Sequence, residues 1–331
     1  KPNLNRKNLE LMTKTRVRRI LFDGNRAVGV EIERDGQIQR IGARRELIVS
    51  GGAINSPVLL LASGIGPAAE LARLGIDVKC DLPGVGKNLQ DHYQSSFTFK
   101  TTATDTLNEA VMSPTKSAKL ALEWLLRGSG QLSVGATEAT LFAKSSPAEP
   151  VPDIQYQCLN FSTDGFKTGL HRWPGFTFIW SVCRPKSRGE ITLRDAEGRT
   201  PPRIQANYLT DPDDMRIMLA GFRIARQIVA TEPFRSLVTE QIRPGPDITS
   251  DEQAAEYVRN VGSTVYHPCG TCRMGEDDGA VVDSELRVRG IDGLRVVDAS
   301  VMPAMPSPNI HPATIMVAEK SSDIIARSLA S

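Results

Sequence analysis

Glu46-Leu47-Ile48-Val49-Ser50 reads as a short apolar strand that runs into Gly51-Gly52-Ala53-Ile54-Asn55-Ser56-Pro57 and then into an apolar helix, Val58-Leu59-Leu60-Leu61, stopped at Gly64. Strand, glycine turn and helix in direct succession commit the surrounding chain to an α/β layer, because the helix must fold back to bury its apolar side. Ser56 before Pro57 marks the expected helix start: a capping oxygen precedes a proline that needs no N–H partner. Free backbone N–H groups at such a junction suit an anionic or nucleotide ligand, although a plain tight turn is the simpler reading. Gly64-Ile65-Gly66-Pro67-Ala68-Ala69 nominally fits a GxGxxA dinucleotide fingerprint. It is rejected, since its glycines follow a helix rather than a strand and no ribose-binding acid stands where a βαβ unit would put it.

Before this stretch, Val17, Ile20 and Phe22 and then Val28, Val30 and Ile32 alternate around Asp23-Gly24-Asn25, and Asp35-Gly36 marks a second turn toward Ile38 and Ile41. The pattern predicts a meander of β-hairpins. After it come a short helix from Ala68 to Leu74 and a Gly-rich polar loop, Leu82 to His92. His92 in that loop has no stronger claim to function than a buried structural histidine.

From about Tyr93 the texture changes. Strands are expected at Phe97 to Phe99, Asp153 to Leu159, Phe176 to Cys183 and Gly189 to Leu193, separated by Pro- and Gly-rich turns. Ser117 to Arg127 is expected to be a helix with one broad apolar side, ended by Gly128. Asp211-Pro212 opens a long helix, and Ser250-Asp251-Glu252-Gln253 is a capping box for another that Gly262 closes. Strands and helices that do not alternate point to an antiparallel sheet with attached helices, a second domain. Short strands are expected again at Ala280 to Val282, Leu286 to Val288 and Leu294 to Val297, and Pro312 begins a final helix.

The 331 residues allow two domains, each with its own core. With 40% hydrophobic and 24% charged residues and a net charge of +2, nothing suggests a polyanion partner, so nucleic-acid binding is not expected. No apolar run reaches the length of a transmembrane segment, and a cytoplasmic location is favoured. Five scattered cysteines form no disulfide framework. Cys269 and Cys272 form a CxxC that lacks the second ligand pair a zinc site needs, so they are taken as packing residues and no metal is expected.

Two of the four histidines stand before prolines near the C-terminus, in Val265-Tyr266-His267-Pro268-Cys269-Gly270-Thr271-Cys272 and in Ser307-Pro308-Asn309-Ile310-His311-Pro312-Ala313-Thr314. A lone His-Pro in such a loop is usually structural. A pair is more telling, because imidazole is neutral near pH 7 and can accept a proton from an alcohol. Asp298 stands at the end of an apolar strand, where α/β sheets place ligand groups.

These stretches, taken together, resemble the glucose–methanol–choline (GMC) flavoprotein oxidoreductases. Gly51 to Pro57 through Ser63-Gly64-Ile65-Gly66 resembles a signature of that family, and Gly84-Val85-Gly86-Lys87-Asn88-Leu89-Gln90-Asp91-His92 resembles the segment that follows it. Arg184 to Gly189 and Asn207 to Pro212 resemble landmarks of its substrate domain, and the two His-Pro stretches its active-site region. The matches succeed one another along essentially the whole chain.

The resemblance implies an α/β plus α+β fold in which an incomplete, Rossmann-like FAD-binding domain is interleaved with an antiparallel-sheet substrate domain. Residues 1–92 and 264–331 would belong to the first and residues 93–263 to the second. It implies oxidation of an alcohol to an aldehyde or ketone with FAD as hydride acceptor, His267 as the base and His311 as the second site residue. Asp298 and Ala299 would lie near the pyrophosphate and ribityl chain of the flavin, and Asn309, Pro312 and Thr314 at its ring. Val17 and Ala53 would lie near the adenosine.

The chain also departs from the family, lacking the GxGxxG near the N-terminus that cradles the FAD pyrophosphate. It is expected to be the C-terminal part of such an enzyme and to bind FAD weakly or not at all alone, with the missing N-terminal segment supplied as a separate chain or lost. A non-catalytic subunit with this fold and a lyase of the same family are the competing readings. Pocket walls are expected around Glu138, Trp173, Phe176 or Trp180, and Glu138 offers a carboxylate for a cationic substrate such as choline.

Overall fold

A computed structural model of the chain describes residues 3–165, 168–245, 247–307 and 309–330. The N-terminal meander forms as its turn residues require: β1 (Thr15–Asp23), β2 (Arg26–Arg34) and β3 (Gln37–Gly42) pair antiparallel in that order. Asp35 and Gly36 both take positive φ, the hairpin conformation that matches strand twist. Next come β4 (Leu47–Val49), α1 (Gly52–Ala62), β5 (Ile65–Gly66), α2 (Ala68–Arg73) and β6 (Cys80–Asp81).

The middle of the chain contains β7 (Tyr93–Thr101), α3 (Leu107–Met112), α4 (Pro114–Arg127), β8 (Thr137–Ala143), β9 (Ile154–Leu159), β10 (Gly175–Val182), β11 (Glu190–Thr192) and β12 (Arg203–Gln205). It continues with α5 (Pro212–Val229), α6 (Phe234–Leu237), β13 (Val238–Arg243), α7 (Asp251–Val261) and β14 (Ser263–Thr264). The chain ends with β15 (Leu294–Val296), a 3-10 turn (Ala299–Val301) and α8 (His311–Ala330). The caps of α5 and α7 are those expected: Asp211 accepts from the N–H of Asp213, and Ser250 and Gln253 make a reciprocal capping box.

Two cores result. One joins residues between Ile20 and Val85 to residues between Cys269 and Val317, around the parallel pair β4 and β15. The other runs from Tyr93 to Val258 and lies between a six-stranded antiparallel sheet, order β13-β7-β10-β9-β8 with β14 beside β7, and the helices α5 and α7. Strand period makes one face of this sheet aromatic: Phe97, Phe99, Tyr156, Phe176, Phe178 and Trp180 all project toward α5. Phe97 meets Trp180 and Phe222 edge to face at 5.1 and 4.9 Å, a geometry worth about 0.5–1.5 kcal/mol per pair beyond the area buried. Gly221 permits the close approach, since a Cβ there would stand 2.4 Å from Trp180 Cδ1.

Four expectations are corrected. Helix α1 starts at Gly52, four residues before Ser56, and carries Pro57 inside it. Residues 280–282 and 286–288 make only isolated bridges, because they pair with single residues rather than along a ladder. Strand β11 joins β12 outside the large sheet and packs on α1, with Ile191 buried. The apolar side of α4 is not covered: Leu122, Trp124, Leu125 and Leu126 are exposed. Strands β8, β12 and β13 had no clear alternation and were not expected.

Candidate active site

The register of the large sheet builds the site. Strands β7 and β10 are paired up to Gln94 and Ser181, and two residues further along that antiparallel register lie His92 and Cys183. His92 Nε2 sits 2.9 Å from the Cys183 carbonyl oxygen. On the other side of β7, Ser263 and Thr264 pair with Gln94 and Tyr93, and the Val265 N–H donates to the His92 carbonyl. The chain reaches His267 two residues later, and the Nδ1 atoms of His92 and His267 stand 3.0 Å apart.

Asp91 anchors this crossing. Its Oδ1 accepts from the backbone N–H of His267 at 2.9 Å, while its Oδ2 accepts from the hydroxyls of Tyr208 and Thr264. The Thr264 hydroxyl also accepts from the N–H of Tyr266, which holds positive φ. A non-glycine residue in that conformation needs surrounding contacts to hold it, and these supply them. Burial raises the Tyr208 phenol pKa and Asp91 adds to it, so Tyr208 remains a donor.

His267 is half-buried, and burial lowers its pKa against the opposing pull of Asp91. Among the described residues its Nε2 has no hydrogen-bond partner. His92 is 1% exposed, and burial lowers its pKa also, opposed by the Cys183 carbonyl and, more weakly, by Asp91 and the Pro306 carbonyl. Both rings are therefore neutral near pH 7, and a neutral imidazole with a free ring nitrogen can accept a proton.

Past His267, Gly270 adopts φ +88°, and a Cβ there would meet the Asn88 carbonyl oxygen at 2.7 Å. Cys269 and Cys272 are both buried in the first core. Burial pushes the Cys269 thiol up to about 12 and Cys272 higher, so neither is a thiolate at neutral pH. They pack, as expected.

The start of α1 shows why the sequence misplaced it. Pro57 cannot donate to the Ala53 carbonyl four residues back, and the Thr271 hydroxyl donates to that oxygen instead, at 2.6 Å. Asp298, at the end of β15, accepts from the Gly52 N–H and the Ser56 hydroxyl through Oδ2, and from the Ser300 N–H through Oδ1. A carboxylate therefore already occupies the N-terminus of α1, where the helix dipole favours negative charge. Ala299 is buried beside it, its carbonyl accepting from the Gly270 N–H.

A cleft of about 700 Å³ opens between β1, β4 and α1, lined among others by Val17, Ile48, Ser50, Gly51 and Asn55. Val17 is 42% exposed and Ala53 is buried. Val17 lines this cleft and Ala53 does not; the cleft's volume is within the range of small-molecule sites.

His311 opens α8 and is exposed, with no partner among the described residues. The ring that touches His267 is that of His92. Asn309 and Pro312 are exposed, and Thr314 donates its hydroxyl to the Ile310 carbonyl within the first turn. The face of the large sheet opposite α5 is mostly polar, with Ser96, Thr98, Gln155, Gln157, Thr177 and Ser181 in register across three strands beside Ile179 and Leu159. Gln155 Nε2 donates to Asn309 Oδ1 at 3.3 Å, so this face is tied to the segment before α8. Glu138 is exposed and bonded to Asn160 Nδ2, Trp173 stacks on His171, and Phe176 and Trp180 belong to the core on the far face.

His92, Asp91 and Tyr208 are the residues that sequence reasoning passed over. Asp91-His92 at the entry to an alternating strand was the available signal, but its partners are remote in sequence, 175 residues away for His267.

Residues 1–94 and 185–318 each match a sequence model of the GMC oxidoreductase family, and the chain belongs to that family. It is 42% identical over 326 residues to mitochondrial choline dehydrogenase of Homo sapiens, covering 98% of this chain and 55% of that protein. It is 40% identical over 327 residues to the oxygen-dependent choline dehydrogenase of Brucella anthropi, covering 98% and 59%. Among solved structures it superposes on a formate oxidase of Aspergillus oryzae, studied for FAD modification, with a TM-score of 0.91, 26% identity and coverage of 98% and 62%. A fungal aryl-alcohol oxidase gives a TM-score of 0.85 at 26% identity, covering 100% of this chain and 63% of that one. The chain thus spans between half and two thirds of the length of the relatives it matches. Among the described residues no helix is long and apolar enough to cross a membrane.

Proposed function

We propose that this chain carries the substrate-binding and catalytic-base part of an FAD-dependent alcohol dehydrogenase or oxidase, with choline-like alcohols the first substrates to test. The observation that carries the reading is His267: a half-buried, neutral imidazole, fixed at its backbone by Asp91 and at Nδ1 by His92, with Nε2 unpartnered among the described residues. When bound, FAD supplies the hydride acceptor. His267 Nε2 takes the hydroxyl proton of the alcohol, which concentrates negative charge on its oxygen, and His311 holds that oxygen.

Val17 and Ala53 hold the adenosine end of the cofactor, Asp298 and Ala299 the middle, and Asn309, Pro312 and Thr314 the segment beside its ring. The pyrophosphate cradle that a GxGxxG supplies comes from an N-terminal segment, on the same polypeptide or on a separate chain. Support for this layout comes from the cleft beside Val17 and from the Asp298 network at α1. The two cores support reading residues 1–92 with 264–331 as the FAD-binding domain and 93–263 as the substrate domain.

The test is the visible absorption spectrum of the chain, alone and mixed with the N-terminal segment of a relative. Flavin bands that bleach anaerobically on adding choline or another primary alcohol support the reading. A flavin that binds but is not reduced by any alcohol overturns the activity, and unchanged alcohol-driven reduction in His267→Ala overturns the assigned base.

A further inference from the structure

The Nδ1 atom of His267 faces another nitrogen, not a carboxylate or carbonyl oxygen, and this restricts the tautomers of both rings. His92 Nε2 lies 2.9 Å from the Cys183 carbonyl oxygen, which can only accept. Two carbonyls act on this ring, those of Cys183 and Pro306, and among the described residues that of Cys183 is the one at hydrogen-bond distance, so a neutral His92 carries its one ring proton on Nε2, leaving a bare lone pair on Nδ1. That lone pair lies 3.0 Å from His267 Nδ1. Two lone pairs at that distance repel, so His267 must carry its proton on Nδ1 and donate it to His92. The second ring nitrogen of His267, Nε2, is then the unprotonated one. The chain Cys183 carbonyl, His92, His267 thus has one direction throughout.

We propose that His92 is the positioning residue for the base, setting His267 in the tautomer whose Nε2 lone pair faces outward to take the proton of a hydroxyl. This rests on the assignment of His267 as base in the proposed function. When Nε2 accepts the proton, His267 becomes an imidazolium whose Nδ1–H still donates to the neutral His92, and that hydrogen bond gains strength from the charge. No bond to His92 breaks in this step. A second-layer group that orients a histidine ring and selects its tautomer is a recurrent arrangement. Here the orienting group is a second imidazole, held in turn by a strand-end carbonyl. Burial of His92 keeps it neutral, because desolvation lowers its pKa and a charge on His267 lowers it further.

Two-bond proton–nitrogen correlation spectra of the chain labelled in its four histidines test this directly. The spectra are recorded at about pH 8, above the usual imidazole pKa of about 6.5. Single replacements His171→Asn, His311→Asn and His92→Asn each remove one pattern, and the pattern that survives all three is that of His267. The expected result is an Nδ1–H tautomer for His267 and an Nε2–H tautomer for His92. His267 as Nε2–H in the unmodified chain overturns the proposal.

In His92→Asn the side-chain oxygen can still accept from Nδ1–H, and the His267 tautomer is expected to persist. In His92→Phe it has no acceptor, and His267 is expected to shift toward Nε2–H. If the Phe variant does not fold, the unmodified chain and the Asn variant still decide. An unchanged tautomer in a folded His92→Phe overturns the role assigned to His92. In the flavin-loaded protein, His92→Phe is expected to slow alcohol-driven reduction roughly 10–100-fold, as loss of such a partner does, with KM little changed. If the tautomers are as proposed but no alcohol reduces the flavin, the functional reading fails and the tautomer relay stands.

Discussion

The Thr271 hydroxyl donates a 2.6 Å hydrogen bond to the Ala53 carbonyl, the one oxygen in the first turn of α1 that Pro57 leaves without its helical donor. Both residues are buried, and the contact spans 218 positions of sequence. It welds the segment carrying His267 to the helix at the glycine turn. Thr271→Val keeps the shape and removes the donor, and is expected to cost about 1–3 kcal/mol, the penalty of a buried unpaired carbonyl. In a Pro57→Ala background, residue 57 has its own N–H for that oxygen, so the same change is expected to cost much less. Urea midpoints of the four proteins measure the coupling, and equal costs in the two backgrounds would refute it.

Arg295 is 1% exposed and makes a paired contact with Glu46, both N–O distances being 3.0 Å. Two of its other N–H groups bond to the Glu285 carbonyl and the Ser328 hydroxyl. Removing the carboxylate alone, as Glu46→Leu, strands a buried cation and is expected to cost about 3–5 kcal/mol. The double change Glu46→Leu with Arg295→Met removes both charges and is expected to recover most of that loss. Denaturant unfolding of the double variant no more stable than Glu46→Leu would show that the pair is not what the guanidinium needs.

Stability should fall as pH is lowered from about 7 to about 5.5. Burial lowers the pKa of His92, His171 and His267 in the folded chain, while in the unfolded chain each titrates at about 6.5. Below that value the unfolded chain binds more protons than the folded one, so the linkage slope is positive and acid destabilises. The contribution is fully present above about 6.5. Carboxylates such as Asp213 and Glu232, whose pKa values are lowered by hydrogen bonds, add their own loss at more acid pH. Thermal midpoints across this range, compared with those of His171→Asn, separate the two; a midpoint flat between about pH 7 and 5.5 would contradict the histidine assignment.

The CxxC thiols should resist alkylation in the native chain. Burial pushes Cys269 up to about 12 and Cys272 above that, and both lie within the core. Partly exposed Cys80 should react first with iodoacetamide at about pH 8. Mass-spectrometric mapping would place Cys269 and Cys272 last, at the rate of unfolding. Rapid native labelling of either would point instead to a reactive, redox-capable thiol in the motif.

What the sequence determined by itself was local chemistry and family membership. Asp211 and Ser250 cap their helices, Asp35-Gly36 turns its hairpin, and alternation marks β7, β9 and β10, because each signal is satisfied within a few residues. The succession of glycine and His-Pro stretches was enough to assign the family, and that resemblance, not residue type alone, made His267 the candidate base. The tertiary structure decided what depends on register and long-range closure. It alone set His92 against His267, because the meeting follows from how β7 pairs with β10 and β14. It started α1 at Gly52, since Thr271 and Asp298 supply from more than two hundred residues away the partners that a helix with an internal proline lacks. It also moved β11 out of the sheet and left the apolar side of α4 uncovered. Periodicity shows that a segment has an apolar face, but only the packed chain shows what that face meets.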